Sequence, residues 1–289
     1  MHAPEPVVDA VVLTMGDRRK ALDAAVGSIQ RQDDSPSCRI VVVWNGVPAT
    51  PVDADSIESR ENLGVTGGRN LGADHGDAPF LLFLDDDAEL VSKRLLADAA
   101  DMFAADERLG AIAVRIVDDQ GRTSPRHVPR LGGGSAARSG PVTAFLGGAV
   151  LIRRQAFEEA GRYGKALFYS MEETDLSWRL HDAGWTIHYA AELLVQHPRV
   201  EPSRHPSARE LTARNRVWIA RRNLPWPLPA IYVLVWTLLG LARCLKSRQW
   251  PSGMWRGTVA GLRSMPFERR PISWRTVARL TRLGRPPVI

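Results

Sequence analysis

The sequence predicts an α/β fold, a sheet flanked by helices, followed by a helical tail. Three observations predict it. Short apolar runs alternate with segments of helical periodicity from residue 7 to about residue 195, the pattern of successive strand and helix units. One of those runs, Phe80 to Leu84, contains only Leu and Phe and ends on Asp85-Asp86-Asp87. Such a run reads as a central, fully buried strand of a parallel sheet. The charge is also divided: from Pro225 onward 11 Lys and Arg accompany one acid, whereas residues 1–224 carry a net −4 within a whole-chain +6.

The totals are those of a globular protein. The 289 residues suffice for one large domain or two small ones, with 44% hydrophobic and 24% charged residues. Two cysteines, Cys38 and Cys244, match no disulfide or metal spacing and fit a reducing, cytoplasmic setting. The opening Met-His-Ala-Pro-Glu-Pro lacks the basic and apolar regions of a signal peptide, so none is expected.

Val7 to Leu13 is a first strand, followed by Thr14-Met-Gly-Asp-Arg-Arg and a helix with Leu22, Ala25, Val26 and Ile29 on one face. A strand, a glycine turn and a helix together present backbone N–H groups to a phosphate or a base, although most such turns only turn. Arg39 to Trp44 is a second strand, closed by the turn signal Asn45-Gly46. Residues 47–60, rich in Pro, Asp and Ser, read as a surface loop. In Glu61 to Gly72, glycines 64, 67 and 68 let the backbone pass close to a ligand or to a neighbouring segment, and a helix starts at Arg69 and Asn70.

The third strand then delivers the three aspartates. Like charges this close raise one another's pKa unless a cation neutralises them, and hard oxygen ligands suit Mg²⁺ or Mn²⁺. A solvated acidic turn at the start of a helix explains Asp-Asp-Asp alone equally well. Ser92 to Phe103 is an amphipathic helix and Ala111 to Val117 a strand. Residues 118–140, with Gly132-Gly133-Gly134, read as a mobile loop of the kind that forms lids. Thr143 to Ile152 reads as a strand whose Gly147-Gly148 step marks a close approach, and Arg153 to Ala160 as a short helix. Phe168 to Gly184 carries a helical stripe, Leu176, Leu180 and Ala183, with Glu172, Glu173 and Asp175 crowding its first turn. Acids there also complement a helix dipole. Thr186 to Val195 is a last strand, and His197-Pro198 follows it.

These segments in this order resemble the inverting glycosyltransferases of family 2 with the GT-A fold, near the rhamnosyltransferase-like members. The segments are Thr-Met-Gly-Asp-Arg, Val-Val-Trp-Asn-Gly, Asn-Leu-Gly-Val-Thr-Gly-Gly-Arg-Asn, Leu-Asp-Asp-Asp-Ala, Phe-Leu-Gly-Gly-Ala, Glu-Glu-Thr-Asp-Leu-Ser-Trp-Arg-Leu and Gln-His-Pro. The resemblance covers residues 7–200 and implies a catalytic domain over 1–200 with a Rossmann-like mixed sheet. It implies that Asp85 and Asp87 form a DxD motif and hold Mn²⁺ or Mg²⁺ with His197, Asp85 and Asp86 lying near the nucleotide. Thr14, Asp17 and Arg18 would form the nucleotide turn, and Asn45, Asn62, Gly67, Gly68 and Arg69 would line the nucleotide pocket. Glu173 would be the general base, in a position where the family carries Asp, which leaves Asp175 and Glu172 as alternatives. Asn45 stands where relatives carry an acid that reads the base. The implied donor is a dTDP-, UDP- or GDP-sugar and the implied acceptor a glycan or lipid-linked hydroxyl. A nucleotidyltransferase would need a lysine- and glycine-rich first loop, and this one has a single glycine, Gly16.

Residues 201–224, with six arginines from Arg204 to Arg222, read as a basic connecting helix. Pro225 to Pro229 breaks it, and Ala230 to Ala242 is a 13-residue uncharged run, shorter than the roughly 20 residues a spanning helix needs. Trp226, Tyr232 and Trp236 at one end and Arg243, Lys246 and Arg248 at the other read as interfacial anchors. Trp250 to Phe267 and Ile272 to Leu283 mix Trp and Leu with Arg, as do helices lying on anionic lipid. The tail, 225–289, is therefore expected to associate with the cytoplasmic face of a membrane, peripherally or as a re-entrant segment. Nucleic acid is not expected as a partner, because a nucleic-acid-binding tail interleaves basic with polar and exposed aromatic residues.

Overall fold

The computed structural model describes residues 5–131, 134–198, 207–247 and 252–288. Strands β1 (Val8–Thr14), β2 (Cys38–Asn45), β3 (Asp55–Ser59) and β4 (Phe80–Asp85) form a parallel half-sheet in the order β3-β2-β1-β4. Between them run helices α1 (Arg19–Gln30) and α2 (Gly64–Ala73). The register sets Leu13 beside Asp85 and Thr14 beside Trp44, so the carboxyl ends of β1, β2 and β4 share one edge. Ligands collect at that edge in open α/β sheets.

After β4 the chain forms β5 (Glu89–Leu90), α3 (Leu95–Ala105), β6 (Leu109–Val117), β7 (Gly140–Pro141), β8 (Ala149–Arg153), α4 (Arg154–Glu159), α5 (Glu172–Asp182) and β9 (Thr186–Gln196). The second half of the sheet is mixed. β8 lies antiparallel between β4 and β6, and β9 runs parallel to β6. One core layer lies under α1 and α3, around Leu22, Trp44, Leu95 and Phe103. The other lies under α2, α4 and α5, around Phe83, Phe157, Leu176 and Tyr189.

Three elements differ from the sequence expectation. The Pro- and Asp-rich stretch contains β3, an edge strand on β2 whose Ile57 alone packs toward the core. An edge strand with two wet faces needs no apolar alternation to form. Helix α2 begins at Gly64 rather than Arg69, so the glycines lie inside it. A Cβ on Gly68 would lie 2.3 Å from Leu13 and one on Gly72 2.3 Å from Val11, so these two glycines let α2 rest directly on β1. The strand expected from Thr143 is confined to Ala149–Arg153, and the residues before it bend around the site described below.

The tail forms α6 (Ala208–Asn223), α7 (Leu228–Ser247), α8 (Ser252–Arg263) and α9 (Trp274–Arg282). Helix α6 is not a solvated connector. Trp218, Ile219 and Leu224 join Tyr232, Ile272 and Leu280 of the tail and Leu167 and Trp178 of the catalytic domain in a third core. Helices α6 and α8 pack backbone to backbone: a Cβ on Gly257 would lie 2.1 Å from the carbonyl of Glu210, and one on Gly261 2.8 Å from that of Arg214. Helix α7 spans 20 residues, longer than its uncharged run, and among the described residues it is the one helix long and apolar enough to cross a membrane. Its Tyr232 is buried, while Ile231, Leu234, Leu238 and Leu245 are exposed. Arg204, Arg248, Trp250, Gly132 and Gly133 lie outside the described residues.

Candidate active site

The end of β4 carries the site. Asp85 closes the strand, its N–H donating to the carbonyl of Gly148 at 3.0 Å. The chain then turns, with Asp86 and Asp87 both buried. The turn after β1 holds them. Thr14 Oγ1 donates to Asp86 Oδ2 at 2.6 Å and itself accepts from the N–H of Gly16 at 3.0 Å. The Arg18 guanidinium spans Asp86 Oδ1 and Asp87 Oδ2. Burial, together with the neighbouring carboxylates, raises the Asp86 pKa to about 6 against the pull of Thr14 and Arg18. Asp86 thus joins the β1 turn to the acidic loop. Asp17 is 71% exposed and reaches only Arg18, at 3.7 Å.

Asp85 Oδ1 accepts from Arg69 at 2.8 Å. Asp85 Oδ2, Asp87 Oδ1 and His197 Nε2 remain turned toward one another. The His197 nitrogen is 3.7 Å from the first and 3.3 Å from the second, and the three candidate ligand atoms lie within 4.8 Å. Burial disfavours the charged imidazole, but the two aspartates outweigh it and carry its pKa up to about 10. Two carboxylates gathered around one cation are the donor set of a hard divalent ion, with the imidazole as third ligand. The residues present therefore fit the metal the sequence implied. A cavity of about 200 Å³ opens beside His197, walled by Arg122, Pro125, Arg126 and His127 of the 118–140 loop.

The Gly147-Gly148 bend links this site to the acidic helix. A Cβ on Gly148 would lie 3.4 Å from the His197 ring and 3.7 Å from Asp85 Oδ2. A Cβ on Gly147 would lie 2.2 Å from Glu173 Oε1. Arg69, nearly fully buried, donates to the Gly147 carbonyl as well as to Asp85, and its field also reaches Glu172 and Glu173. Glu172 is buried and Glu173 half-buried. Burial raises the Glu173 pKa. Burial and the adjacent Glu173 carry that of Glu172 up to about 8. The half-buried carboxylate against the bend is the accessible one of the pair.

Asp175 does not belong to this site. It is fully buried, and Arg179, Arg222 and Asn223 donate to its oxygens at 2.6, 3.1 and 2.7 Å. Its carboxylate anchors α5 to α6 and has no room to take a proton from a substrate. Gly67 and Gly68 also stand apart from the cleft, facing Leu63 and Leu13. Asn45 and Asn62 shape the turn into α2. Asn45 Nδ2 donates to Asn62 Oδ1 at 3.0 Å, and Asn45 Oδ1 accepts from the Leu63 N–H at 2.8 Å.

One contributor has no signal in the sequence. Phe168, Ser170 and Met171, just before α5, all adopt positive φ, at 65°, 72° and 72°, a costly conformation for non-glycine residues. Asn215 on α6 donates to the carbonyls of Leu167, Tyr169 and Ser170 at 2.9, 2.9 and 2.8 Å and holds that loop in place. A single Asn among arginines does not announce this role.

Comparison with known proteins agrees with this arrangement. Over 103 residues the chain is 32% identical to N-acetylglucosaminyl-diphospho-decaprenol L-rhamnosyltransferase of Mycobacterium tuberculosis, a match covering 35% of this chain and 33% of that protein. The chain thus spans about a third of the curated relative it matches. Among solved structures, mannosyltransferase PcManGT from Pyrobaculum calidifontis in complex with GDP-Man and Mn²⁺ superposes with a TM-score of 0.58 at 18% identity, covering 96% of this chain and 79% of that one. S. aureus TarS 1-349 in complex with UDP-GlcNAc gives 0.58 at 16% identity over 74% of this chain and 65% of that one. GalNAc-T7 with UDP, GalNAc and Mn²⁺ gives 0.59 at 15% identity over 80% and 50%. These likenesses establish a shared GT-A fold. Residues 10–161 match the model of Glycosyl transferase family 2, more than half of the chain, and the protein belongs to that family.

Proposed function

We propose that the protein transfers a sugar, with inversion, from a nucleotide-diphosphate donor to a hydroxyl of a lipid-linked acceptor, using a divalent cation. One observation carries this reading. The donor set of Asp85, Asp87 and His197 and the carboxylate of Glu173 both border the Gly147-Gly148 bend, which supports a charge-neutralising site and a proton acceptor standing close together. When bound, the cation would offset the charge that builds on the departing nucleotide diphosphate. Thr14, Arg18 and Asp86 hold the acidic loop rigid beneath the diphosphate. Arg69 fixes Asp85 and the bend together. Glu173 accepts the proton of the acceptor hydroxyl, opposite the leaving group, as inversion requires.

The relative's name includes a decaprenol-linked acceptor, and the tail supplies a means of reaching such a molecule. Trp226, Leu234, Leu238, Leu245 and Trp255 of this arginine-rich tail are exposed apolar side chains, which suits insertion into the cytoplasmic leaflet of a membrane. Because Tyr232 is held against the catalytic domain, α7 would lie along or dip into the membrane rather than cross it.

The test is calorimetry of UDP, GDP and dTDP with and without Mn²⁺, together with assays of the released nucleotide. Asp87→Ala abolishes the metal-dependent part of binding, and Glu173→Gln binds donor but loses transfer by about 10²-fold or more. Release of pyrophosphate from a nucleoside triphosphate in the presence of a sugar phosphate, with no nucleoside diphosphate released from nucleotide sugars, would identify a nucleotidyltransferase and end this reading.

A further inference from the structure

Resting on the transferase reading, we infer that a second, metal-free anion site beside the catalytic helix receives the diphosphate of a prenyl-linked acceptor through Arg216 and Arg285. A small cavity of about 80 Å³ lies between α5, α7 and the segment after α9, lined by Thr143, Met171, Thr174, Arg216, Trp236 and Arg285. Met171 and Thr174 flank Glu172 and Glu173 in the chain, so the cavity abuts the first turn of the helix that carries the base. Thr143 and Ala144, at the start of the segment that bends past Glu173, also line it.

Three donor atoms around this cavity lack partners, while Arg216 also reaches the hydroxyl of Tyr232. Thr143 Oγ1, Arg216 Nε and Trp236 Nε1 are buried with no hydrogen-bond partner among the described residues, and Thr143 is only 3% exposed. Buried donors are almost always satisfied, so three around one cavity call for an acceptor from outside the chain. The charge points the same way. Arg216 stacks on Trp236 at 4.0 Å and has Arg243 and Arg285 as charged neighbours. Among the described residues no carboxylate pairs with Arg216 or Arg285. The cavity also lacks acids to hold a metal, so its ligand is an anion recognised by guanidinium groups directly.

The neighbouring cavities indicate what carries that anion. A larger apolar cavity of about 750 Å³ lies along α7, with Trp226, Val233, Leu234, Leu262 and Phe267 in its walls. A small hollow shares Arg216 and Trp236 with the first and Val217 and Val233 with the second. A polar head with room for phosphate, adjoining a greasy groove on the membrane-facing helix, matches a prenyl diphosphate better than a free phosphate or an ordinary phospholipid.

The test uses the full chain in EDTA, so that the Asp85–Asp87–His197 site holds no metal, and follows binding of farnesyl diphosphate, farnesol and inorganic pyrophosphate by calorimetry. Farnesyl diphosphate is expected to bind at least tenfold tighter than either farnesol or pyrophosphate. Arg216→Gln and Arg285→Gln each weaken it about tenfold or more, with Mn²⁺-dependent nucleotide binding unchanged. Arg285 lies beyond the last helix, so its variant tests the site even if Arg216→Gln fails to fold. Equal binding of farnesol, undiminished binding by folded Arg285→Gln, or full displacement by phosphatidylglycerol vesicles would overturn the inference. Absence of Mn²⁺-dependent nucleotide binding in the unaltered protein would instead overturn the transferase reading, which separates the two failures.

Discussion

Arg69 donates to Asp85 Oδ1 at 2.8 Å and thereby commits one oxygen of that carboxylate, leaving the other to face His197 at 3.7 Å. The same guanidinium bonds the Gly147 carbonyl, so one buried cation ties the end of β4 to the glycine bend, and its field reaches Glu172 and Glu173 on the acidic helix. Arg69→Met removes the partner of Asp85, whose carboxylate is 36% exposed and still faces His197, and is expected to cost about 1–3 kcal/mol. Urea unfolding measures it, and Mn²⁺ affinity should fall alongside, because Asp85 is no longer oriented.

Gly147→Ala tests the bend. The added methyl would overlap Glu173 Oε1, with a built separation of 2.2 Å, and the carboxylate must move. The backbone there is not left-handed, so stability should change little. Transfer is expected to fall about 10²-fold or more with metal-dependent nucleotide binding retained, since the carboxylate displaced is the proposed base. Activity near that of the unaltered protein would show that Glu173 need not stand where it does.

Asn215→Ala separates the tail's structural contribution from the membrane contact proposed for it. Three carbonyls of the loop before α5 lose their donor, at an expected cost of about 1–3 kcal/mol. The left-handed residues Phe168, Ser170 and Met171 then relax, so kcat on a water-soluble acceptor should drop while donor KM holds. Asn215→Asp, which removes the amide protons without removing bulk, should behave like alanine.

Asp175→Asn is expected to destabilise by about 3 kcal/mol or more, because Arg179 and Arg222 remain buried around a neutral group. Metal-dependent nucleotide binding should survive in whatever fraction remains folded, as measured by calorimetry on protein checked by circular dichroism. A selective loss of transfer in stable protein would return Asp175 to the candidates for the base.

The Glu172–Glu173 pair sets a pH dependence. Burial raises both pKa values, and the adjacent Glu173 adds to the effect on Glu172, which reaches about 8 from an ordinary 4.5. The folded state therefore holds a proton that the unfolded chain releases near pH 4.5. Stability falls as pH climbs from there toward 8, where the folded form also lets the proton go. Transfer has the opposite trend, rising over the same range as the base ionises. Thermal melts and rates from pH 5 to 9 should show the crossing slopes, and Glu172→Gln should flatten the stability slope.

Much of this was legible in the residues. Phe80 to Leu84 fixed the central strand, since an apolar run ending on three acids fits few other places, and the order of the motifs fixed the family. Gly147-Gly148 was readable as a close approach, though not as a bend, because the same two glycines suit a strand interior. The Pro- and Asp-rich stretch concealed β3 because backbone pairing at an edge leaves no side-chain pattern. Gly67 and Gly68 read as ligand-facing, because proximity to a ligand and proximity to Leu13 demand the same missing side chain. Asp175 sat one helical turn from the acids that matter, and only its arginine partners, Arg179 and Arg222, distinguish it. One of those arginines, and Asn215 too, comes from a helix some 40 residues further along; such long-range pairing is invisible to local pattern.

Tyr232 is 2% exposed against the catalytic domain while Leu234 and Leu238, on the same helix, are 59% and 56% exposed. With one flank of α7 locked inward and the other greasy, insertion of the greasy flank into a lipid surface would make the height of the reaction centre above that surface a constant of the molecule. Such a protein would act as a ruler: acceptors whose reactive hydroxyl stands at that elevation are served, and glycans grown beyond it are passed on untouched.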